Sequence, residues 1–326
     1  MIIARSPLRI SLGGGGTDLP SYYKKKNGFV LSAAINKYVY VTITRPFQTG
    51  IYLKYSSIEK VKKVSDIKHR IIKSFLEREN FTDNRIEIST LADIPSGTGL
   101  GSSGSFTSAL IKSYYMYKQK MIDQKELARI ACEIEIQRLK DPVGKQDQYI
   151  SALGGVTCFE FQKNDNVKAY PLKLSSEKLK SLSENLVLFF TGVTREAKSV
   201  LLNQKKLSIK NNKMMINNLD EIKQMGKNIK KYLENNDFES FGLMMNEHWQ
   251  KKKKRSSIMS NEKINFLYDS ALKNGAVGGK LVGAGGGGFL MFYCENKKKL
   301  INYFSKHNIL PVEFNFDFEG TKIIMN

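Results

Sequence analysis

The sequence has few cysteines and histidines, and none of its apolar runs is long. Cys132, Cys158 and Cys294 stand far apart and form no CxxC pair, so neither a disulfide framework nor a zinc site is predicted. No apolar run approaches the roughly 18 residues that a membrane-spanning helix needs, and the first residues lack the charged-then-apolar pattern of a signal peptide. We therefore expect a cytoplasmic chain with reduced thiols and no membrane partner.

Acidic residues are also scarce, since 31 aspartates and glutamates face 52 lysines and arginines and leave a formal net charge of +21. The densest basic run, Lys251–Arg255, closes a predicted helix, where cations are favourable, and no recognisable nucleic-acid motif accompanies it. We interpret it as a solvated surface that also attracts phosphorylated small molecules, without specific nucleic-acid binding. His69, His248 and His307 lie far from the glycine-rich stretches in sequence, so no histidine-based catalysis is predicted.

Glycine, by contrast, is concentrated in three stretches, and the middle one is the most informative. It reads Pro95-Ser-Gly-Thr-Gly-Leu-Gly-Ser-Ser103, and a helical pattern runs from Gly104 to Lys118 behind it. Such a loop exposes backbone N–H groups in a concave nest above the positive end of a helix, which favours an anion such as phosphate. The alternative is a glycine-rich turn before a serine-capped helix, with no ligand.

Two common phosphate motifs do not describe this loop. Gly99-x-Gly101-x-x-Gly104 formally matches the dinucleotide fingerprint, but the predicted strand Arg85–Thr90 ends too early and Asp123 follows a helix rather than a strand. The P-loop pattern also fails, because no lysine follows Gly101. We therefore predict a different anion loop, in which the two serines after Gly101 reach phosphate or a metal.

The first glycine stretch, Gly13–Gly16, follows a predicted strand and precedes Thr17 and Asp18. Consecutive glycines let the backbone lie close against a ligand, and a hydroxyl beside a carboxylate suits sugar hydroxyls. The alternative is a flexible turn in which Asp18 caps a helix over residues 19–26. The third stretch, Gly278–Gly288, lies near the end of the chain.

Three acidic residues are candidates for the chemistry. Glu133 and Glu135 share a predicted helix over Gln124–Lys140, and a glutamate beside a phosphate loop can hold Mg²⁺, although most such glutamates are solvated. Asp147 follows the helix break at Pro142 and is predicted to start a new helix. We interpret it either as a helix cap or as the carboxylate that orients or deprotonates an attacking hydroxyl.

The second half of the chain is predicted to be mostly helical, in about four segments over residues 196–274. The strand predicted over Leu186–Thr191 leads into Arg195, whose position at a strand-to-helix junction suits a phosphate or carboxylate group, or else a surface ion pair. Composition changes between the two halves, so we predict two domains, residues 1–180 and 181–326.

All three glycine stretches resemble the motifs of one family. Pro7–Asp18, Pro95–Ser103 and Lys280–Phe289 are similar, in order and spacing, to the three motifs of the GHMP kinase superfamily, which includes galactokinase, homoserine kinase, mevalonate kinase and phosphomevalonate kinase. The resemblance spans nearly the whole chain. It implies an α+β, two-domain fold with a ribosomal protein S5 domain 2-like N-terminal domain, a ferredoxin-like C-terminal domain and the active site between them.

The resemblance also implies ATP and Mg²⁺ and a role for each motif residue. Asp147 would be the catalytic aspartate, Arg9 would lie near the transferred phosphoryl group, and Ser103 and Glu135 would hold Mg²⁺, with Glu133 as the alternative ligand. The residues expected to bind the ATP phosphates are Pro95, Gly97, Thr98, Gly99, Gly101, Ser102, Ser103 and Gly104. Those expected to bind the sugar are Gly14, Gly15, Gly16, Thr17, Asp18, Arg195, Gly285 and Gly286.

Within the superfamily, Gly144–Tyr149 and Thr191–Arg195 are most similar to kinases that act on heptose 7-phosphate. These phosphorylate the anomeric hydroxyl of D-glycero-D-manno-heptose 7-phosphate, on the way to a nucleotide-activated heptose such as GDP-heptose for capsule or other surface polysaccharide. Fucokinase-like sugar 1-kinases share much of this pattern. The alternatives from other classes are a dinucleotide-dependent oxidoreductase and a phosphate-responsive regulator. The oligomeric state is left open, with a homodimer as one possibility.

Overall fold

A computed structural model describes residues 1–194, 197–209, 212–255 and 257–326. Its strands are β1 (Ile2–Gly13), β2 (Gly28–Thr44), β3 (Gly50–Lys54), β4 (Ile58–Val61), β5 (Arg85–Ala92), β6 (Val156–Phe161), β7 (Val167–Pro171), β8 (Leu186–Phe190), β9 (Gly278–Leu281), β10 (Phe289–Tyr293), β11 (Pro311–Val312) and β12 (Lys322–Met325). Its helices are α1 (Pro20–Lys26), α2 (Arg70–Arg78), α3 (Ser102–Tyr117), α4 (Gln124–Cys132), α5 (Gln146–Leu153), α6 (Ser176–Asn185), α7 (Ala197–Ile209), α8 (Lys213–Glu234), α9 (Phe238–Lys253), α10 (Glu262–Lys273) and α11 (Lys297–Lys306). Short 3₁₀ turns cover Val64–Asp66 and Ser257–Met259, and a π-helical segment covers Glu133–Arg138.

Capping side chains set where the helices of the second half begin. The side chains of Asn212, Asp237 and Asn261 accept hydrogen bonds from backbone N–H groups in the first turns of α8, α9 and α10, respectively. Each bond satisfies an N–H group that has no partner inside its helix. The predicted series of helical segments over 196–274 is confirmed for the described residues of that range.

The first sheet is organised by the long strand β2. Its first half pairs with β6 and its second half pairs with β5, while β1 pairs along nearly its whole length on the other side. The sheet runs in the order β12-β1-β2-β5-β3-β4, with β6 paired to β2 and β7 paired to β6. Because α3 packs on β1 and β2, the motif at the start of α3 lies beside the side chains of β1.

The second sheet has the order β11-β8-β10-β9 with antiparallel neighbours throughout. In chain order these strands alternate with helices as a strand, a helical segment, a hairpin, a helix and a strand, which is the ferredoxin-like arrangement. The last strand, β12, leaves this unit and pairs with β1 in the first sheet. The predicted domain boundary near residue 180 therefore stays a prediction. The C-terminal strand β12 belongs to the sheet of the first predicted domain.

The observed secondary structure differs from the predicted one in two places. The single helix predicted over Gln124–Lys140 is α4 followed by the π-helical segment, whose wider turns shift the face that each residue presents. The strands β3 and β4 were not indicated, because they are short and Lys54 and Ile58, where the two strands meet, are exposed. Among the described helices, none is long and apolar enough to cross a lipid bilayer.

Candidate active site

The three glycine stretches are far apart in sequence but line one cavity of about 1030 Å³. The cavity wall includes residues of β1, the start of α3, the end of α9 and the strand β9, so both sheets contribute to it. A space of this size lies at the upper end of the range for small-molecule sites. The structure thus gathers the segments that the sequence analysis singled out around one candidate site.

The middle glycine stretch forms an open turn at the cavity wall. Gly97, Gly99 and Gly101 have φ angles of 77°, 85° and 80°, and a Cβ on Gly99 would lie 2.7 Å from the carbonyl oxygen of Val282. Glycine alone fits such a position without strain. The helix α3 begins directly after Gly101, and no described side chain caps it. Its first N–H groups are therefore available to an anion in the cavity.

Three of the residues expected to bind the ATP phosphates do not line the cavity. Thr98 is buried, and its hydroxyl donates to the carbonyl oxygen of Pro95 over 2.9 Å, whereas Pro95 is exposed and lies outside the cavity lining. A Cβ on Gly104 would lie 2.8 Å from the Cβ of Asp147, so this glycine lets α3 pack closely on α5. These residues shape the loop and its surroundings, whereas the residues of the loop that face the cavity are Ser96, Gly97, Gly99, Gly101, Ser102 and Ser103.

Arg9 and Asp147 form a bidentate ion pair beside this loop. Arg9 Nε donates to Asp147 Oδ1 over 2.8 Å, and Arg9 Nη2 donates to Oδ2 over 2.9 Å. Arg9 also donates to the carbonyl oxygen of Gly99. The arginine is buried, whereas 29% of the Asp147 side chain is exposed. The pair is therefore fixed from behind and presents its carboxylate to the cavity from the first turn of α5.

Asp18 is the acidic residue that the first glycine stretch brings to the cavity. Its carboxylate accepts hydrogen bonds from the N–H groups of Gly16, over 3.0 Å, and Gln146, over 3.2 Å. Burial and the nearby charge of Asp147 raise the pKa of this carboxyl group. The alternative role as a helix cap is wrong, because the residue at the cap position of α1 is Leu19 and Asp18 is bonded elsewhere.

The other residues assigned to the sugar in this stretch divide into two groups. Thr17 is buried, with its hydroxyl 2.9 Å from the carbonyl oxygen of Gly14 and 2.8 Å from that of Phe29, so it holds the turn together. Gly14 has a φ angle of 82° and packs against the same Phe29 carbonyl. Neither residue lines the cavity, because both are turned toward β2, whereas Gly15 and Gly16 do line it.

Glu135 and Glu133 point in different directions. The buried carboxylate of Glu135 accepts hydrogen bonds from the Ser103 hydroxyl and from the Gln148 amide, and burial raises its pKa to about 7. Glu133 instead accepts from Arg78 Nε over 3.1 Å. The structure therefore places Glu135, and not Glu133, behind the phosphate loop, with Ser103 between it and the cavity.

The Ser103–Glu135 pair has the chemistry of a divalent-cation site. Both groups offer hard oxygen atoms, and Glu135 contacts no cationic side chain among the described residues. The described residues contain no group of three or more His, Cys, Asp or Glu side chains placed to hold a metal. A Mg²⁺ ion here would therefore take its remaining ligands from phosphate and water, as this ion commonly does.

The third glycine stretch packs against the phosphate loop and also lines the cavity. A Cβ on Gly283 would lie 2.5 Å from the carbonyl oxygen of Gly99, so the two loops are packed backbone against backbone. Of the two residues assigned to the sugar here, Gly285 lines the cavity. The N–H group of Gly286 donates to the carbonyl oxygen of Met259, which places this residue in the supporting layer. Arg195, the remaining residue assigned to the sugar, lies outside the described residues.

Three buried cations line the same cavity and were not singled out from the sequence. Lys252, Arg255 and Lys280, here named the cationic cluster, are each less than a tenth exposed. The interpretation of Lys251–Arg255 as a solvated surface is therefore wrong for two of its residues. His248 also lines the cavity, close to the glycine stretches, with both ring nitrogens buried and without a partner among the described residues.

A sequence signal for these residues exists in the spacing of α9. Phe241, Met245, His248 and Lys252 follow one another at intervals of four, three and four residues, and all are buried. This is the spacing of the inner face of a helix, so the polar residues His248 and Lys252 continue an apolar stripe. A polar side chain on such a stripe either has an internal partner or faces a site.

Comparisons with known proteins agree with this arrangement. The family described as GHMP kinases N terminal domain matches residues 66–155, and the family described as GHMP kinases C terminal matches residues 229–309. The first range contains the phosphate loop, Glu135 and Asp147, and the second contains the cationic cluster and the third glycine stretch.

Individual relatives extend the similarity over the whole chain. The D-glycero-alpha-D-manno-heptose 7-phosphate kinase of Campylobacter jejuni subsp. jejuni serotype O:2 is 34% identical over 337 residues, with 98% of each chain covered. The bifunctional fucokinase/GDP-fucose pyrophosphorylase of Arabidopsis thaliana is 25% identical over 90% of this chain, which spans 30% of that protein. The crystal structure of a D-glycero-D-manno-heptose 1-phosphate kinase from Bacteroides thetaiotaomicron matches with a TM-score of 0.83 at 26% identity, covering 100% of this chain and 99% of that one. The predicted α+β fold is confirmed by these matches.

Proposed function

Because the chain belongs to the GHMP kinase family, we propose that this ATP-using sugar kinase phosphorylates the anomeric C1 hydroxyl of D-glycero-D-manno-heptose 7-phosphate to the 1,7-bisphosphate. The observation that carries the proposal is the Arg9–Asp147 pair, which presents a fixed carboxylate to the cavity beside a phosphate loop. The choice of sugar draws on the relatives whose names specify a phosphorylated heptose.

Asp147 is the residue proposed to act on the attacking hydroxyl. Its carboxylate accepts both hydrogen bonds from Arg9 along one edge and is still partly exposed to the cavity. A carboxylate held in this way orients a sugar hydroxyl and accepts its proton as that oxygen bonds to the γ-phosphorus of ATP. The bond between the γ-phosphorus and the β,γ-bridging oxygen breaks in the same transfer, and ADP is the leaving group. Arg9, which also contacts the Gly99 carbonyl, keeps a positive charge next to the phosphoryl group in transfer.

ATP fits the other side of the cavity. The open turn of Gly97, Gly99 and Gly101 and the uncapped start of α3 offer N–H groups to the phosphates. Beyond the loop, the wall is apolar and aromatic, with Tyr55 and Phe106 among its residues, which suits the adenine ring. We propose that Ser103 and Glu135 hold Mg²⁺, which when bound would neutralise phosphate charge.

The proposal is tested by measuring ADP release with Mg-ATP and a panel of acceptors. The panel contains heptose 7-phosphate, the unphosphorylated heptose, fucose and galactose, and phosphorus NMR of the product identifies the new ester. We expect the highest kcat/KM with heptose 7-phosphate and a new phosphate at the anomeric position. A higher kcat/KM with fucose or galactose, or a product phosphorylated elsewhere, would contradict the proposal.

A further inference from the structure

The cationic cluster is buried without a negative partner among the described residues, whereas buried charges usually have one. Lys252 Nζ donates to the carbonyl oxygens of Leu281, over 3.1 Å, and Gly283, and Lys280 Nζ donates to the carbonyl oxygen of Leu12 over 2.9 Å. These acceptors are neutral. Among the described residues, no carboxylate lies within ion-pair distance of either ammonium group. Isolated charges buried in this way are costly unless a counter-charge is supplied.

Arg255 shows the same pattern at the first glycine stretch. Its guanidinium donates to the side-chain oxygen of Asn218 over 2.8 Å, to that of Gln204 over 3.4 Å and to the Gly15 carbonyl oxygen over 3.3 Å. The carboxylate with an electrostatic effect on it, Asp18, is bonded instead to the N–H groups of the turn and of α5. The arginine is thus held in a fixed orientation by neutral groups and forms no ion pair with a carboxylate of the described residues.

Two further side chains at the cavity wall have unused hydrogen-bonding atoms. His248 is 2% exposed, and both its ring nitrogens have no partner among the described residues. The hydroxyl of Ser11, on β1, is buried and is likewise without a partner in the described part of the chain. Both residues line the cavity. Unsatisfied buried polar atoms that border a cavity point to a ligand that completes them.

The ligand implied by three cations and free hydrogen-bonding groups is an anion with several acceptor oxygens, such as a phosphate monoester. The phosphates of ATP already have a separate place, at the phosphate loop and the start of α3. Arg255 and Lys280 lie on another part of the wall, where they contact Gly15 and Leu12 of the first stretch. Lys252 lies between them and the phosphate loop, because it also contacts Gly283, which packs against Gly99. The part of the wall around Arg255 and Lys280 is the side of the cavity that carries Asp18, the residue suited to sugar hydroxyls.

We propose that the cationic cluster, with His248, binds the phosphate that the acceptor sugar already carries. This inference rests on the proposed function, since it assigns a place to the phosphate of heptose 7-phosphate remote from the reacting hydroxyl. The cluster then selects phosphorylated sugars over free ones, because a sugar without the phosphate leaves buried cations without a counter-charge. A neutral sugar would still reach Asp147, but it would not compensate the cluster.

The first test compares two acceptors in Lys252→Met and Arg255→Met. With heptose 7-phosphate, each variant should lose roughly 10- to 150-fold in kcat/KM, because a charged hydrogen-bonding partner of the phosphate is removed. With unphosphorylated heptose, kcat/KM should change little, and KM for ATP should stay that of the unmodified protein. Lys254→Met is the matched control, because this lysine is exposed at the same helix end. An equal loss on both acceptors would overturn the assignment.

The second test measures binding without turnover. Isothermal titration calorimetry with inorganic phosphate, in the presence of a saturating non-hydrolysable ATP analogue that fills the phosphate loop, should detect binding to the unmodified protein and to Lys254→Met but not to Lys252→Met or Arg255→Met. Thermal unfolding of each variant establishes that it is folded. Phosphate binding retained by both folded cluster variants would overturn the inference even if the enzyme phosphorylates heptose 7-phosphate.

The two tests also separate this inference from the proposed function. If the enzyme prefers an unphosphorylated sugar while calorimetry shows phosphate bound at the cluster, the proposed acceptor is wrong and the assignment to the acceptor phosphate fails with it, but the anion site stands. If heptose 7-phosphate is the preferred acceptor and the cluster variants keep that preference, the proposed function stands and the inference is overturned.

Discussion

Two charged regions on the wall of the same cavity are balanced in opposite ways. Arg9 and Asp147 compensate each other through two hydrogen bonds and form a complete unit in the free protein. The cationic cluster, by contrast, contacts only neutral oxygen atoms of the described residues. The first region therefore has its working geometry before any ligand binds. The second has an excess of positive charge that an anionic ligand can compensate.

The difference shows how the cavity divides its tasks. A group that must act on a reacting atom needs a fixed direction, and a bidentate arginine gives the Asp147 carboxylate that direction. A group that recognises a remote anion needs a charge that is not already paired within the protein, and burial strengthens the attraction of that charge for a ligand. Buried cations without counter-charges lower the stability of the free protein, so their presence is better explained by binding than by folding.

The largest effect is expected from breaking the compensated pair. Asp147→Asn preserves the size of the side chain but removes the charge and the ability to accept a proton. We expect kcat to fall by roughly 10²- to 10⁴-fold, the usual scale for a lost general base, with little change in ATP affinity. Steady-state kinetics and a nucleotide-binding titration measure the two quantities. Near-normal turnover in this variant would remove Asp147 from the catalytic residues.

The proposed metal ligands provide the next comparison, since they too lie beside the phosphate loop. Ser103→Ala and Glu135→Gln should each raise the Mg²⁺ concentration that gives half-maximal activity by roughly tenfold or more, because a hard oxygen ligand is lost or neutralised. A Mg²⁺ titration at fixed ATP measures this. If saturating Mg²⁺ leaves both variants indistinguishable from the unmodified protein at every concentration, these residues do not hold the ion.

The uncompensated region should also be visible in the pH dependence of stability. Burial, together with the charges of Arg255 and Arg9, lowers the pKa of Lys280 to about 7. On α9, Lys252 and His248 also face Lys280. Burial and the neighbouring cations lower the pKa of both side chains. Above pH 7 the unfolded chain holds a proton on this lysine that the folded chain has lost, so stability rises with pH until the ordinary lysine pKa is reached, and falls again as the pH returns to 7.

The contribution of Lys280 to this slope is about 1.4 kcal/mol per pH unit at most. Urea unfolding of the unmodified protein and of Lys280→Met between pH 7 and 9 measures it, and the unmodified protein should gain more stability with rising pH than the variant. Saturating inorganic phosphate should reduce the difference, because an anion at the cluster favours the protonated lysine. Equal slopes in the two proteins without phosphate would contradict the uncompensated charge.

Much of the compensated region could be predicted from the sequence, because its determinants are local. The glycines of the phosphate loop, the helix start at Asp147 and the strand that carries Arg9 are each indicated by residues next to them in the chain. Their joint location required the resemblance among the motifs, since no local pattern states which loops meet. The internal roles of Thr17 and Thr98 were missed because sequence shows a hydroxyl but not the carbonyl oxygen that occupies it.

The uncompensated region could not be predicted in the same way. Lys252 lies among lysines that are solvated, and a run of identical charges hides which member faces inward. The spacing of His248 and Lys252 along α9 does carry the information, but only relative to the apolar residues before them. The acceptors of the cluster come from segments that are distant in sequence, such as Leu12 and Leu281. Burial of charge is a tertiary property, and it became apparent only in the folded chain.

The smallest effect is expected from Glu133→Gln, which separates the two glutamates of the π-helical segment. Glu133 accepts from Arg78 over 3.1 Å, lies 3.9 Å from Arg129, and has 23% of its side chain exposed. A partly exposed pair of this kind contributes up to about 1 kcal/mol, so the free energy of unfolding should fall by no more than that. The Mg²⁺ requirement should not change, because the wide turn directs Glu133 toward α2 while Glu135 lies behind Ser103. If Glu133→Gln raised the Mg²⁺ requirement and Glu135→Gln did not, the two glutamates would have exchanged roles, and the metal site would have to be built two residues earlier in the chain.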